Sequence, residues 1–258
     1  MILIYFLISF LATVLGSIAG LGGGVVIKPL LDLLNHYDVA TIGVLSAATV
    51  FSMSIISLIK AKTLKIKLDI EVSFLIAIGS ILGGLLGKGV FNYLINVLQI
   101  EEQVAIFQSA FLAFLMLVIL LLTIYSDKFR PLLIRNKLVI IAVGLTLGIL
   151  SAFLGIGGGP LNVVVLGLLF SMKPKEAAFN SIFIIFFSQL SSLILTWFDT
   201  GFGSFNLSML FYMIIGGIIG GWTGSSLTNR ISDKQVRAIF TISVFVILLI
   251  NIYNAVAS

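Results

Sequence analysis

The sequence predicts an all-α polytopic membrane protein made of two inverted-topology repeats. Three observations carry that prediction. Hydrophobic residues make up 60% of the 258 and charged residues 10%, against about 25% charged in a soluble domain. Several uncharged apolar stretches are long enough to span a bilayer. A glycine-rich break also occurs twice. Gly20-Leu21-Gly22-Gly23-Gly24, followed by Lys28 and Pro29, returns as Gly155-Ile156-Gly157-Gly158-Gly159-Pro160. Each copy interrupts a long apolar run. Backbone polar groups in lipid must be satisfied within the protein, so such a break is tolerated only where protein or a water-filled cavity surrounds it. Paired breaks in corresponding halves point to the binding site of a transporter.

The first repeat is read over residues 1–126. Segment 1 covers 2–19 and the break follows. A short arm covers 24–34, about 16 Å of helix, too little to cross an apolar layer of about 30 Å. Asn35-His36-Tyr37-Asp38 is a polar turn, Asp32 lies at the interface, and the lone His36 is a solvated loop residue. Segment 2 covers 39–59 and ends in the basic loop of Lys60, Lys62, Lys65 and Lys67. Segment 3, 72–94, carries Gly79, Gly83, Gly84 and Gly87, with Lys88 as an interfacial anchor. Glu101 and Glu102 form an acidic loop before segment 4, 104–125.

A linker over 127–137, holding Lys128, Arg130, Arg135 and Lys137, leads into the second repeat over 138–258. Segment 5 covers 138–154 and is followed by the second break and an arm over 160–170. Lys173-Pro174-Lys175-Glu176 makes the turn, and segment 6 covers 177–198. Segment 7, 207–227, carries Gly216, Gly217, Gly220, Gly221 and Gly224. Arg230, Lys234 and Arg237 surround the last loop, and segment 8 covers 238–253. The repeat extends beyond the breaks. The ladder from Gly79 matches that from Gly216, and Glu102-Gln103-Val104 matches Lys234-Gln235-Val236. Small residues at this spacing are helix-packing faces, within the protomer or against a second copy, so the sequence allows a homo-oligomer.

The basic loops set the orientation. If each broken element is a re-entrant-type helical hairpin, three transmembrane helices remain per half and the halves are inverted. Thirteen of the fifteen Lys and Arg residues then fall on one side, which the positive-inside rule makes cytoplasmic. Both termini fall outside, in a multi-pass protein of the cell membrane. Were each broken element a single span, Lys173, Lys175, Arg230, Lys234 and Arg237 would move outside.

Composition excludes several functions. With no cysteine, thiol catalysis and thiolate metal sites are absent. Neither break is followed by Gly-Lys-Ser/Thr, so neither is a nucleotide loop. The net charge of +5 resides in short loops and does not mark nucleic-acid binding. No carboxylate sits mid-membrane to run two-carboxylate chemistry, and no cofactor or metal is expected. The apolar start lacks a basic leader and reads as mature helix.

What remains is anion chemistry. Glycines reach left-handed backbone angles without penalty, and their N–H groups can converge into an anion-binding nest. Each arm that follows offers a helix N-terminus with its partial positive charge. The candidate substrate-binding residues are Gly22, Gly23, Gly24, Gly157, Gly158 and Gly159, with Asn162, Asn180 and Gln189 as amide donors. Lys28 can supply charge, and Thr49 and Ser52 lie at comparable depth on segment 2.

At these residues the chain resembles the TauE/SafE family of membrane transporters, the sulfite exporters. The Gly-Leu-Gly-Gly-Gly block with Pro29-Leu30, the Gly-Ile-Gly-Gly-Gly-Pro160-Leu-Asn162 block, the duplication and the length all fit that family. The resemblance implies a carrier for small sulfur-containing anions such as sulfite, sulfonates or thiosulfate. Val164 stands where the first block has Pro29, so the two arms are not equivalent. The resulting expectation is a secondary carrier or uniporter of a small anion in the lipid bilayer. An anion channel and a non-transporting membrane subunit of a larger complex are the alternatives.

Overall fold

The computed structural model describes residues 1–63, 66, 68–94, 101–126, 132–154 and 157–257. Lys65, Lys67, Lys128, Arg130 and the Gly155-Ile156 start of the second break lie outside the described residues. Those residues form ten α-helices and a 3-10 turn over Phe202–Ser204, with no strand among them. The helices are α1 (Ile2–Ala19), α2 (Gly24–Leu34), α3 (Val39–Thr63), α4 (Ile70–Asn92), α5 (Glu101–Ile124), α6 (Lys137–Leu154), α7 (Gly159–Phe170), α8 (Pro174–Asp199), α9 (Leu210–Arg230) and α10 (Asp233–Ala257). All except α2 and α7 are long and apolar enough to cross a bilayer.

Local chemistry sets the ends. α1 stops at Gly20 and α2 starts after Gly23, both left-handed, with φ of 74° and 82°. α7 carries Pro160 in its first turn, where a missing N–H costs nothing. The Asp69 carboxylate caps α4, accepting the Val72 N–H at 3.1 Å. Asp38 precedes α3 and accepts from the Thr41 N–H at 2.8 Å and its hydroxyl at 2.6 Å. Burial pushes the Asp38 pKa up, but these bonds favour the anion and hold it below the usual carboxylate value.

Each short helix folds back along its predecessor. Gly22 donates its N–H to the Gly16 carbonyl, and α2 then returns along α1 until the Tyr5 hydroxyl lies 2.9 Å from His36 Nδ1. In the second element, Leu132 and Ile134 donate their N–H groups to the Leu168 and Leu169 carbonyls, each at 3.1 Å. The end of α7 therefore lies beside the segment that leads into α6.

The glycine ladders pack within the protomer. Gly79 and Gly83 of α4 face the Ile141 and Leu145 carbonyls of α6, while Gly144 and Gly148 of α6 face Ile76 and Ser80 of α4. Gly216, Gly220 and Gly224 of α9 sit on Ser9, Thr13 and Val14 of α1. Gly217 and Gly221 of the same helix sit on Thr49 and Met53 of α3. The first helix of each hairpin is therefore joined to a helix from the other half of the chain.

Candidate functional site

The two breaks meet, and α8 touches both. Along one face of α8, Ala178 abuts Gly20, Ile185 abuts Gly22 and Gln189 abuts Gly157. On the same face, the Ser181 hydroxyl donates to the Gly20 carbonyl at 2.7 Å. These residues recur at three- and four-residue spacing, so a single helix stripe contacts both hairpins. The Cα of Gly159 lies directly against the Leu21 carbonyl. The breaks thus touch back to back through their backbones, with no space for a ligand between them at that point. Left-handed angles at Gly22 (φ 78°) and Gly158 (φ 71°) make the reversals that allow this approach.

The space lies to one side. A cavity of about 250 Å³ is enclosed by α3, α4 and α8, with α2, α5 and α6 beneath. Of the residues singled out from sequence, Gly24, Gly157, Lys28 and Gln189 line it. Gly24 opens α2 there, and first-turn N–H groups of a helix have no intrahelical acceptor. Lys88 also lines the cavity, donating to Thr196 Oγ1 at 2.8 Å with Asp199 nearby. It was expected as an interfacial anchor. Ser46, Ser80, Ser151, Ser188 and Ser192 add hydroxyls, and Val39, Asp199 and Thr200 line it where α3 begins and α8 ends.

The other expected residues lie elsewhere. Gly22 is covered by Ile185 and Val50, Gly23 backs onto Ala12, and Gly158 onto Ser151. Asn162 is buried beside Gly158. The Thr49 hydroxyl donates to the Leu45 carbonyl and the Ser52 hydroxyl to the Ala48 carbonyl, each one turn back in α3. Asn180 accepts from the Asp69 N–H at 2.9 Å and the Ser73 hydroxyl at 2.6 Å, and donates to the Glu176 carbonyl at 2.7 Å. It ties the start of α8 to the start of α4.

Gln108 was not anticipated. It is buried on α5 and lines the cavity. Its Oε1 accepts from Lys28 Nζ at 2.8 Å and its Nε2 donates to the Phe153 carbonyl. Lys28 Nζ also donates to the Leu154 carbonyl at 2.9 Å. Two side chains thus cap the C-terminal end of α6, whose last carbonyls lack helical partners. The available signal was a lone amide within the apolar run of α5.

The family pattern described as sulfite exporter TauE/SafE matches residues 5–250, nearly the whole chain. The protein belongs to the TauE/SafE family of membrane transporters. It is not an enzyme. It is 28% identical to "Probable membrane transporter protein YunE" of Bacillus subtilis, over 97% of both chains. It is 26% identical to "Probable membrane transporter protein YjnA" of the same organism, over 86% of this chain and 89% of that one. A probable membrane transporter protein of Methanocaldococcus jannaschii is also 26% identical, over 90% and 88%. No solved structure matches.

Within this TauE/SafE chain the geometry separates two buried amides. Asn180→Ala is expected to cost about 2 kcal/mol, because it strands the Asp69 N–H and the Ser73 hydroxyl. The unfolding midpoint in detergent checks this, and an unchanged midpoint refutes it. KM for the transported substrate should stay at the parent value. A raised KM would instead assign Asn180 to substrate contact.

Proposed function

We propose that the protein is a secondary carrier or uniporter of a small anion. The substrate class is a sulfur-containing anion such as sulfite, a sulfonate or thiosulfate, and the mechanism is alternating access around the two glycine breaks. The observation that carries this reading is the cavity, where Gly24 of one hairpin, Gly157 of the other, Lys28, Gln108 and Gln189 converge. A cation, the Gln189 amide and a helix N-terminus form a set suited to an oxyanion. In this reading the residues at the breaks that do not line the cavity set its shape.

The halves, 1–126 and 138–258, are read as inverted repeats joined by a cytoplasmic linker over 127–137. The basic loops face the cytoplasm and both termini face outward. The self-closing hairpins support this, as does the reciprocal packing of α1 on α9 and α6 on α4. The cavity reaches the side where α3 begins and α8 ends. At the opposite side, Ala61, Phe179 and Ile182 are buried together against Leu58, Ile66 and Leu68. In the register that aligns Gly24 with Gly159, Ala61, Phe179 and Ile182 correspond to Thr196, Val44 and Ala47, which line the open cavity. Exchange of the two environments between equivalent positions is what alternating access of inverted repeats requires. A negative interior drives a monovalent anion outward by about 2.3 kcal/mol per 100 mV, so export needs no coupling ion.

Flux in sealed proteoliposomes tests the proposal, using sulfite, thiosulfate, taurine and a carboxylate under an imposed potential, with and without sodium or proton gradients. Saturable flux of a sulfur anion is expected, and the gradient dependence assigns the coupling. Non-saturating flux would indicate a channel. No flux of any candidate from folded protein would indicate a subunit that works only with a partner.

A further inference from the structure

Lys28 and Gln108 stand in the wall between two cavities. The first is the one described above. The second, of about 420 Å³, lies between α2, α5 and α10 and is lined by Asp32, Asn251 and Asn254 as well as by Lys28 and Gln108. Lys28 is 7% exposed and Gln108 4%. A buried ammonium is costly unless it is well bonded. Here two of its three donors go to Gln108 Oε1 and the Leu154 carbonyl; the third makes no hydrogen bond among the described residues, and the Asp32 carboxylate, one turn on along α2, is the opposite charge that acts on the ammonium.

The corresponding place in the other half is built differently. In the register that aligns Gly24 with Gly159, Lys28 corresponds to Val163 and Leu154 to Ala19; in the one that aligns Glu102 with Lys234, Gln108 corresponds to Phe240. Ala19 and Phe240 are buried in one apolar cluster, with Val163 packed against it. Around Ala19 the end of α1 is therefore packed in hydrocarbon, and its carbonyls are held by neutral groups, the Gly22 N–H and the Ser181 hydroxyl, where the end of α6 is held by a cation and an amide. Helix packing at this position does not itself require charge, because the equivalent contact is made without it.

We propose that Gln108 is a positioning residue: together with the Leu154 carbonyl it fixes the Lys28 ammonium at the cavity wall, where the remaining donor meets the transported anion. Gln108 acts through Lys28. Its Nε2 bond to the Phe153 carbonyl holds the amide so that Oε1 faces the ammonium. An ammonium presents a point charge rather than a planar fork, so its location selects among anions only if something holds it still. The inference rests on the anion-carrier reading.

A double-mutant cycle of sulfite and thiosulfate flux in proteoliposomes tests it. Gln108→Met removes both bonds at similar volume and should raise KM by about tenfold with Vmax nearly unchanged. Lys28→Met should raise KM further. In the Lys28→Met background, Gln108→Met should then change nothing, because a residue that acts only through another has no effect once that one is gone. Gln108→Glu keeps the acceptor but places a negative charge beside the ammonium. Its KM should also rise at least about tenfold, a result that stands even if Lys28→Met fails to fold. Equal effects of Gln108→Met in both backgrounds, or parental KM values for Gln108→Met and Gln108→Glu, would overturn the proposal and leave Gln108 as a helix cap. Absence of sulfite and thiosulfate flux in the parent protein would instead refute the sulfur-anion reading on which it rests.

Discussion

Gly159→Ala is expected to cost the protein about 3 kcal/mol of stability and most of its transport flux, although it adds a single methyl group. A Cβ on Gly159 would lie 2.0 Å from the Leu21 carbonyl oxygen and 2.3 Å from its carbon. Both are backbone atoms, and they cannot rotate away as a side chain would. Leu21 is fully buried. The Gly20 carbonyl before it is held by Ser181, and Gly22 after it lies beneath Ile185. The added methyl therefore has to push one hairpin away from the other and disturb the cavity edge at Gly157. Gly167→Ala on the same helix is the control, since a Cβ there meets nothing within 4 Å. It should be neutral or gain up to about 1 kcal/mol from helix propensity. Thermal unfolding in detergent with flux on the same preparations decides the matter. If the two variants melt together, the breaks do not touch in the folded protein.

That contact was partly legible in the sequence, because two glycine breaks in matching halves imply a meeting point. Element positions were legible as well, since glycine, proline and charged loops bracket long apolar runs. The expected helix at 39–59 continues to Thr63, because Lys60 and Lys62 extend a final amphipathic turn at the apolar edge instead of ending it. Partner choice was not legible. Asn180 and Gln189 are both amides buried in the same apolar helix. Only the three-dimensional structure sets one over the start of α4 and the other against Gly157. Lys28 and Gln108 are separated by eighty positions, and no local periodicity records that an amide on α5 will meet an ammonium on α2. A nest of N–H groups was expected at both breaks, yet Gly22 spends its N–H on the end of α1. Local demand for hydrogen bonds at a helix end decided that detail.

Neighbouring glycines on α4 yield the sharpest test of which small residues serve the cavity. Gly83→Phe should prevent accumulation of folded protein, while Gly84→Phe should fold normally and lose flux by about a factor of ten or more. Successive helical residues point about 100° apart, and here that angle separates two environments. A Cβ on Gly83 would stand 2.0 Å from the Leu145 carbonyl oxygen, inside the α4–α6 seam. A Cβ on Gly84 meets nothing within 4 Å and faces the cavity. Replacing a mid-helix glycine should if anything raise the unfolding midpoint of Gly84→Phe. Its phenyl ring would occupy much of a space of about 250 Å³. Gly43 on α3 is likewise open and lines the same cavity, so Gly43→Phe should reproduce the block from the facing wall. Parental flux in both folded variants would mean that the substrate does not pass through this cavity. The α4 glycines would then serve only the packing seam with α6, on the face of Gly79 and Gly83.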